Sequence, residues 1–229
     1  MAKRIVVAID GPAGAGKSTI ARRLALRLGF LYIDSGAMYR AVGLWALKAG
    51  VGLADAHRLS QLAAEAAIQL EPGGSRVLLN GEDVTEAIRT PEVSQAASRV
   101  STIGGVRKAM VAEQRRMAER SSVVMEGRDI GSVVFPNAEI KIFLDADAGV
   151  RAERRLRESA EKGESVDSAE MAHQIRQRDE RDRTRAEAPL VQAPDAVYVD
   201  STGLTIEQVE ETILRIIRGR TSNGKGVAS

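Results

Sequence analysis

Short apolar runs alternate with amphipathic segments along most of the chain. The runs typical of strands buried on both faces of a parallel sheet are Ile5–Ile9, Leu31–Ile33, Ser122–Met125, Ile140–Leu144 and Ala196–Val199. Between them, apolar residues recur at the spacing of one helix face. Because strands that alternate with helices form parallel sheets, the pattern predicts an α/β fold with about five parallel strands flanked by helices.

Helical periodicity covers most of the sequence between these runs. It predicts helices over Lys17–Leu28, Met38–Ala49 and Leu59–Leu70, a helical region from Pro91 to about Arg120 that breaks near Gly104, and a last helix from about Ile206 to Arg218. Gly29 follows the first helix in the position of a C-terminal cap. The segment Arg76–Val84 breaks the alternation, because Asn80-Gly81 at its centre is a strong signal for a β-hairpin. We therefore expect residues 35–103 to form an insertion in the fold.

The composition is that of an ordinary globular protein. The chain has 229 residues and no Cys, so disulfide scaffolds and thiol chemistry are excluded and a reducing compartment is the simpler expectation. Its two His residues leave little room for a His-based metal site. The apolar stretch near the N-terminus is too short for a signal peptide or a membrane span. We expect one domain with insertions, located in the cytoplasm and without a membrane partner, and a frayed polar tail over 221–229.

Positive and negative charges nearly balance, but most of the positive charge comes from Arg and little from Lys. There are 33 Lys and Arg residues against 31 Asp and Glu, which gives a net charge of +2, and 26 of the 33 are Arg. A general preference for Arg at the surface explains such an excess, but a planar guanidinium also grips phosphate in a bidentate way that Lys cannot. With so small a net charge and only seven aromatic residues, the chain lacks the features of a nucleic-acid binder.

The strongest motif follows the first strand. Gly11–Ser18 matches the P-loop pattern G-x-x-x-x-G-K-[ST], and it lies between a buried strand and a helix, as phosphate binding requires. Lys17 can reach the β and γ phosphates of a nucleotide, and Ser18 offers a hydroxyl to Mg²⁺. A Gly-rich turn without a ligand is the alternative, but the full match in this context favours nucleotide binding. The predicted contacts are Gly11, Pro12, Ala13, Gly14, Ala15, Gly16, Lys17, Ser18 and Thr19.

Arginine close to an acid recurs at the carboxyl ends of two strands, where ligands bind in open α/β sheets. Asp34–Arg40 follows the second strand and Glu126–Asp129 follows the third. Further along the chain, one helix face is predicted to carry Arg178, Arg181, Asp182 and Arg185. Periodicity alone favours a solvated helix with surface ion pairs there. Transfer of a phosphoryl group between two anionic molecules needs cations at both, however, and a P-loop with arginines on separate segments meets that need.

The P-loop alone leaves the reaction open, because switches, motors and small-molecule kinases share it. The guanine-reading sequence N-K-x-D is absent, and the chain is short for a motor. Two alternatives remain beside phosphoryl transfer to a phosphate. One is a P-loop kinase of a small-molecule hydroxyl, with Asp34 as its base. The other is a P-loop ATPase or switch that binds a macromolecule.

Five blocks of sequence are more specific than the P-loop. They read I-D-G-P-A-G-A-G-K-S, D-S-G-A-M-Y-R, E-G-R-D-I-G-S-V-V-F-P, K-I-F-L-D-A and Q-R-D-E-R-D-R-T-R-A-E-A-P-L. In this order they closely resemble bacterial cytidylate kinases, which are nucleoside monophosphate kinases, over about Val6 to Val209. The resemblance implies a monomeric enzyme of P-loop NTPase fold that uses ATP and Mg²⁺ to phosphorylate CMP or dCMP. It also implies a core of residues 1–34, 104–153 and 182–220, a monophosphate-binding insertion over 35–103 and a helical lid over 154–181.

The resemblance further implies roles for single residues. The CMP phosphate would be held by Arg40, Arg128 and Arg185, with Ser35 and Tyr39 in the same acceptor loop. The cytosine contacts would be Ser98, Arg107 and Asp129, and the sugar contacts would be Arg178 and Asp182. Lys17 would stabilise the transferring group together with lid arginines such as Arg151, Arg154 or Arg155. The catalytic groups would thus be Lys17, Arg128, Arg185 and Arg155.

No general base is expected for such a reaction. The acceptor is a phosphate oxygen, which is ionised near neutral pH because its second pKa is about 6. Asp10, Asp34 and Asp129 are candidates for orienting Mg²⁺ waters or hydrogen-bond donors. Many relatives have Gly after the P-loop Lys where this chain has Ser18, so whether Ser18 meets Mg²⁺ directly or through water stays open.

Overall fold

The computed structural model of the protein describes residues 4–71, 73, 76–161, 163 and 166–222. Its strands are, in chain order, β1 (Val6–Asp10), β2 (Leu31–Asp34), β3 (Ile68–Leu70), β4 (Val77–Leu79), β5 (Glu82–Asp83), β6 (Val123–Gly127), β7 (Ile140–Asp145) and β8 (Val197–Asp200). The helices are α1 (Lys17–Leu28), α2 (Ser35–Lys48), α3 (Ala56–Glu65), α4 (Pro91–Val100), α5 (Gly104–Met117), α6 (Ala148–Glu161), α7 (Ser168–Thr184) and α8 (Ile206–Ser222).

Five strands form a parallel sheet in the order β2-β6-β1-β7-β8. The predicted parallel sheet flanked by helices is therefore confirmed. Its register pairs Asp34 with Glu126 and Asp10 with Gly127. Because all five strands run in the same direction, these polar strand ends lie side by side at one edge of the sheet.

Apolar side chains on both faces of the sheet explain why its strands read as unbroken hydrophobic runs. Along β6, Val123 and Met125 belong to one buried cluster, whereas Val124 belongs to the other. Helices α1 and α8 pack on the Val124 side, and the other cluster extends into α2, α3 and α5. The sheet is thus held between two helical layers, and its carboxyl edge is left for a ligand.

The helix that follows the P-loop begins and ends at glycines with positive φ. Gly16 precedes α1 with φ of 89°, and Gly29 follows it with φ of 67°. Phe30 N–H then bonds to the carbonyl of Ala25 at 2.9 Å, which closes the last turn. The predicted cap at Gly29 is confirmed.

The region over 35–103 contains a separate antiparallel sheet in the order β3-β4-β5. Asn80 and Gly81, with φ of 52° and 84°, make the predicted tight hairpin turn between β4 and β5. The predicted helix over Leu59–Leu70 is wrong at its end, because α3 ends at Glu65 and the following residues form β3. Pairing of Ile68–Leu70 with β4 outweighs the helical spacing of their apolar side chains.

The charged stretch after β7 forms two helices, α6 and α7. Arg185 lies beyond the last residue of α7 and has an extended backbone (φ −58°, ψ 139°), so it does not continue the helix face predicted for Arg178 and Asp182. Of the tail expected to be frayed, Thr221 and Ser222 complete α8, and residues 223–229 lie outside the described residues. Within the described part of the chain, every helix is too short or too polar to cross a membrane. The domain boundaries stay predictions.

Candidate active site

A cleft of about 250 Å³ opens at the carboxyl edge of the parallel sheet. The predicted site residues that line it are Ala13, Gly14, Lys17, Ser18, Ser35, Tyr39, Arg40, Ser98, Arg128, Asp129, Arg155, Arg178, Asp182 and Arg185. It is also lined by Asp34, Gly36, Arg89, Ser94, Ala97, Ser101, Glu126 and Gly127. P-loop residues and residues of the 35–103 region therefore face the same space. Gly11, Pro12, Ala15, Gly16, Thr19 and Arg107 are not among the lining residues.

The P-loop follows β1 so closely that only glycine fits at its start. Gly11 has φ of 151°, and a Cβ there would lie 1.9 Å from the carbonyl oxygen of Leu144 on the neighbouring strand. Lys17 is buried, and its Nζ donates to the carbonyl of Pro12 at 2.6 Å. The loop thus curls around its own lysine, a shape that directs backbone N–H groups inward.

The charge of Lys17 is poorly compensated. Burial, followed by repulsion from Arg128, lowers the pKa of its ammonium to about 7. Burial and repulsion from Arg128 also lower the pKa of Arg178, to about 10, and its Nε is buried without a hydrogen-bond partner among the described residues. An anion between these groups would relieve both effects.

Three arginines of α6, which the sequence grouped together, lie in different environments. Arg151 is buried behind the P-loop and donates to the carbonyls of Ala13 at 3.0 Å and Ala146 at 2.9 Å. Its third contact is an ion pair of 2.7 Å with Asp179 of α7. Arg154 bonds to the Ser201 carbonyl at 2.8 Å. Arg155 alone of the three lines the cleft.

The three acids proposed from the sequence for the metal side already have partners. Both carboxylate oxygens of Asp10 accept backbone N–H groups, from Ile130 at 2.8 Å and Gly131 at 2.7 Å. Burial raises the pKa of Asp10 to about 6. Asp34 caps α2 through the N–H of Ala37 and accepts from Arg40 at 3.0 Å. Asp129 is held by arginines, as described below.

Glu126 is the acid that sequence reasoning missed. Its buried carboxylate accepts a hydrogen bond from the hydroxyl of Tyr32 at 3.1 Å. Burial, and then repulsion from Asp34, raises the pKa of Glu126, and the Ser18 hydroxyl, which lines the same cleft, lowers it in part. Its place at the carboxyl end of a predicted strand was the available signal, and the pairing of β2 with β6 sets it opposite Asp34.

The oxygen donors beside the P-loop fit a hard cation that is held mainly by phosphates and water. Ser18 and Glu126 supply one hydroxyl and one carboxylate, the type of donor that Mg²⁺ takes in proteins. Within the described ranges, His, Cys, Asp and Glu form no group of three or more that could hold a metal. This is the sparse ligand set expected where Mg²⁺ keeps several waters.

Two of the arginines that line the cleft are ion-paired. Arg128 donates through Nε to Asp182 at 2.7 Å, and this pair joins the end of β6 to α7. Arg40 and Asp34 join the first turn of α2 to its own N-terminal cap. The Ser35 hydroxyl donates to the carbonyl of Glu126 at 2.6 Å, which fixes α2 against β6. These contacts hold guanidinium groups at the cleft without neutralising the whole charge.

A buried cluster lies deeper, where Asp129 contacts both Arg107 and Arg185. Arg107 donates to one carboxylate oxygen, and Arg185 lies 3.5 Å from the other. Arg185 is fixed in turn by the carbonyl of Ala188, which accepts from its Nε at 2.6 Å. Arg107 also lies 3.5 Å from the hydroxyl of Tyr39, whose pKa is raised to about 12 by burial. Arg107 therefore stands behind Asp129 and orients it toward the cleft.

Arg181 does not line the cleft, unlike Arg178 and Asp182 of the same helix. Its guanidinium turns to α4 and donates to the Ser98 hydroxyl at 2.7 Å, whereas Arg178 and Asp182 line the cleft. The residues predicted to share one helix face therefore contact two different parts of the protein.

Seven cations converge on one cleft. They are Lys17, Arg40, Arg89, Arg128, Arg155, Arg178 and Arg185. Such an arrangement binds polyanions, and preorganised cations stabilise charge that develops between two phosphates.

Similarity to known proteins agrees with this geometry. The sequence matches the family model described as Cytidylate kinase over residues 7–219. A cytidylate kinase of Solibacter usitatus (strain Ellin6076) is 62% identical over 225 residues, which cover 97% of this chain and 96% of that protein. A cytidylate kinase of Pelotomaculum thermopropionicum is 54% identical, with coverage of 93% and 96%. A solved structure of an uncharacterized protein from Eubacterium ventriosum shares the fold, with a TM-score of 0.50 at 13% identity and coverage of 96% and 99%. The chain belongs to the cytidylate kinase family.

Proposed function

We propose that this chain transfers the γ-phosphoryl group of ATP to CMP or dCMP, forming CDP or dCDP and ADP. Membership of the cytidylate kinase family gives the reaction. The observation that carries the assignment to this cleft is the convergence of the P-loop lysine and six arginines on one space. The γ-phosphorus forms a bond to a phosphate oxygen of CMP as its bond to the bridging oxygen of ADP breaks.

The P-loop would bind the donor. Its backbone N–H groups and the N-terminus of α1 would hold the phosphates, and Lys17 would follow the γ-phosphoryl group as it moves. Ser18 and Glu126 would hold Mg²⁺, which when bound neutralises phosphate charge. Arg155, at the exposed side of the cleft, would complete the positive charge around the transferring group.

The arginines of the opposite wall would bind the acceptor. Arg40, Arg128 and Arg185 would hold the phosphate of CMP, with Ser35 and Tyr39 beside them. Asp129, oriented by Arg107, would accept from the exocyclic amine of cytosine, and Ser98 would meet the same base. Arg178 and Asp182 would contact the sugar. The buried ion pairs support this assignment because they hold each group in place before the ligand arrives.

Catalysis would rest on positioning and charge rather than on a general base. The acceptor oxygen is ionised near neutral pH, and Asp34 is engaged by Arg40 and Ala37 N–H. Action as a monomer in the cytoplasm, without a nucleic-acid or membrane partner, is part of the same proposal.

An ADP-release assay over a panel of acceptors tests the proposal. With ATP and Mg²⁺ fixed, we expect CMP and dCMP to give the highest kcat/KM, ahead of UMP and AMP. A faster rate with AMP or UMP would overturn the acceptor assignment. Transfer to a hydroxyl compound, or ATP hydrolysis that no monophosphate accelerates, would instead support the small-molecule kinase or the ATPase.

A further inference from the structure

A hydrogen bond joins α7 to α4 across the acceptor side of the cleft. Arg181 donates to the hydroxyl of Ser98 at 2.7 Å, although the two residues are 83 positions apart in the chain. Ser98 is buried at 7% exposure and lines the cleft. Its carbonyl accepts from the Ser101 hydroxyl at 3.0 Å, which ties down the end of α4. The serine therefore faces the ligand space while its hydroxyl is held from behind.

The chemistry of the two groups restricts what the hydroxyl can do. A guanidinium has donors and no acceptor, so Arg181 occupies a lone pair of Ser98. Among the described residues, Ser98 Oγ donates to no protein acceptor. Because a guanidinium cannot accept, the hydroxyl hydrogen points away from Arg181 and is left to donate into the cleft. A hydroxyl without this partner would rotate to suit whatever base edge it met.

That restriction matters for a cytosine site. Cytosine presents an acceptor at N3 and a donor at its 4-amino group, and uracil presents the opposite pattern at both positions. A hydroxyl whose hydrogen is held toward the base donates to N3 of cytosine, whereas one that rotates freely can also accept from the N3–H of uracil. We propose that Arg181 is a positioning residue that fixes the Ser98 hydroxyl against the acceptor base and thereby sets the preference for CMP over UMP. This inference rests on the proposed function.

Two substitutions and their combination test the inference. Arg181→Met keeps the length of the side chain and removes its donors, and Ser98→Ala removes the hydroxyl. Arg183→Met is the matched control, because Arg183 is an exposed residue of the same helix with no hydrogen bond or ion pair within the described residues. For each variant, kcat/KM is measured with CMP and with UMP, KM is measured for ATP, and the unfolding midpoint is recorded.

We expect Arg181→Met to lower kcat/KM for CMP by about tenfold, the effect of losing one hydrogen bond to a charged group. The value for UMP and the KM for ATP should change less than about twofold, so the preference for CMP falls. Adding Arg181→Met to Ser98→Ala should have no further effect, and Arg181→Lys should restore part of the preference. Equal losses with CMP and UMP, or additive effects of the two substitutions, would overturn the inference. Failure of the proposed function would appear separately, as a wild-type enzyme that does not prefer CMP.

Discussion

The buried contacts of Asp129 mean that its substitution should lower the stability of the protein. It lies between Arg107 and Arg185, and all three side chains are less than a tenth exposed. Removing the shared carboxylate leaves two buried guanidinium groups without their partner. We expect Asp129→Ala to lower the free energy of unfolding by about 3–5 kcal/mol, as breaking a buried ion pair does.

Urea unfolding measures this loss. Glu153→Ala is the control, because its ion pair with Arg157 is exposed and 3.8 Å long, and it should cost less than about 1 kcal/mol. A cost for Asp129→Ala as small as that of the control would contradict the role of Asp129 in the buried cluster. A fall in the activity of Asp129→Ala can therefore be assigned to a lost substrate contact only after its lower stability has been measured.

The lowered pKa of Lys17 predicts that the protein takes up a proton when it binds ATP. Its pKa in the unliganded protein is about 7, lowered chiefly by burial, so above pH 7 most molecules carry the neutral amine. Bound phosphates favour the ammonium form and raise that pKa. At pH 8 we therefore expect ATP binding to take up close to one proton, and the affinity for ATP to fall as the pH rises above about 7.

Titration calorimetry in buffers of different ionisation enthalpy counts the protons. In Lys17→Met, the uptake at pH 8 should disappear. Proton release on binding, or an uptake that survives in Lys17→Met, would show that another group titrates.

At the scale of elements, α7 connects α6 behind the P-loop with α4 and with the end of β6. Within one turn, Asp179 holds Arg151 behind the P-loop, Arg181 holds Ser98, and Asp182 holds Arg128. Helical periodicity alone favoured a solvated helix here, and only its combination with the P-loop predicted functional charge on this segment. It could not show where each side chain goes, because every one of these partners is distant in the chain.

Asp179→Asn tests the P-loop end of this connection. It leaves the buried charge of Arg151 with only the longer ion pair to Asp145, at 3.9 Å, and loosens the support of the Ala13 carbonyl, at a cost of roughly 1–3 kcal/mol. We expect KM for ATP to rise about tenfold and KM for CMP to change less than about twofold. The exposed neighbour Glu180→Gln should leave both unchanged. Equal increases in both KM values would mean that Asp179 supports the helix as a whole and not the P-loop.

For the whole molecule, the sequence predicted those features that short contiguous patterns encode. The parallel sheet follows from apolar runs and the P-loop from eight adjacent residues, Gly11–Ser18. The β3 strand was missed because a three-residue strand is stabilised by its pairing with β4 rather than by its own pattern. Glu126 stood in the predicted strand-end segment Glu126–Asp129 but received no role, because its contact with Tyr32 depends on the pairing of β2 with β6.

The net charge of +2 conceals a concentrated positive charge. The cations that line the cleft have fewer counterions than their burial requires, so part of their charge is balanced only by the ligand. Such a site lowers the stability of the unliganded protein in exchange for affinity. Arg178, whose pKa is lowered to about 10 by burial and by Arg128, is the clearest case.

Arg178→Met should therefore stabilise the protein when no ligand is bound. Replacing a partly buried, poorly compensated charge by an apolar side chain of similar length is expected to raise the free energy of unfolding by about 1 kcal/mol. Saturating CMP should stabilise the wild type by RT ln(1 + [L]/Kd), and at equal CMP concentration it should stabilise Arg178→Met less. Urea unfolding with and without CMP gives both quantities. Arg176→Met, an exposed substitution on the same helix, should change neither. A destabilised Arg178→Met that gains as much from CMP as the wild type would mean that Arg178 serves the fold and not the ligand.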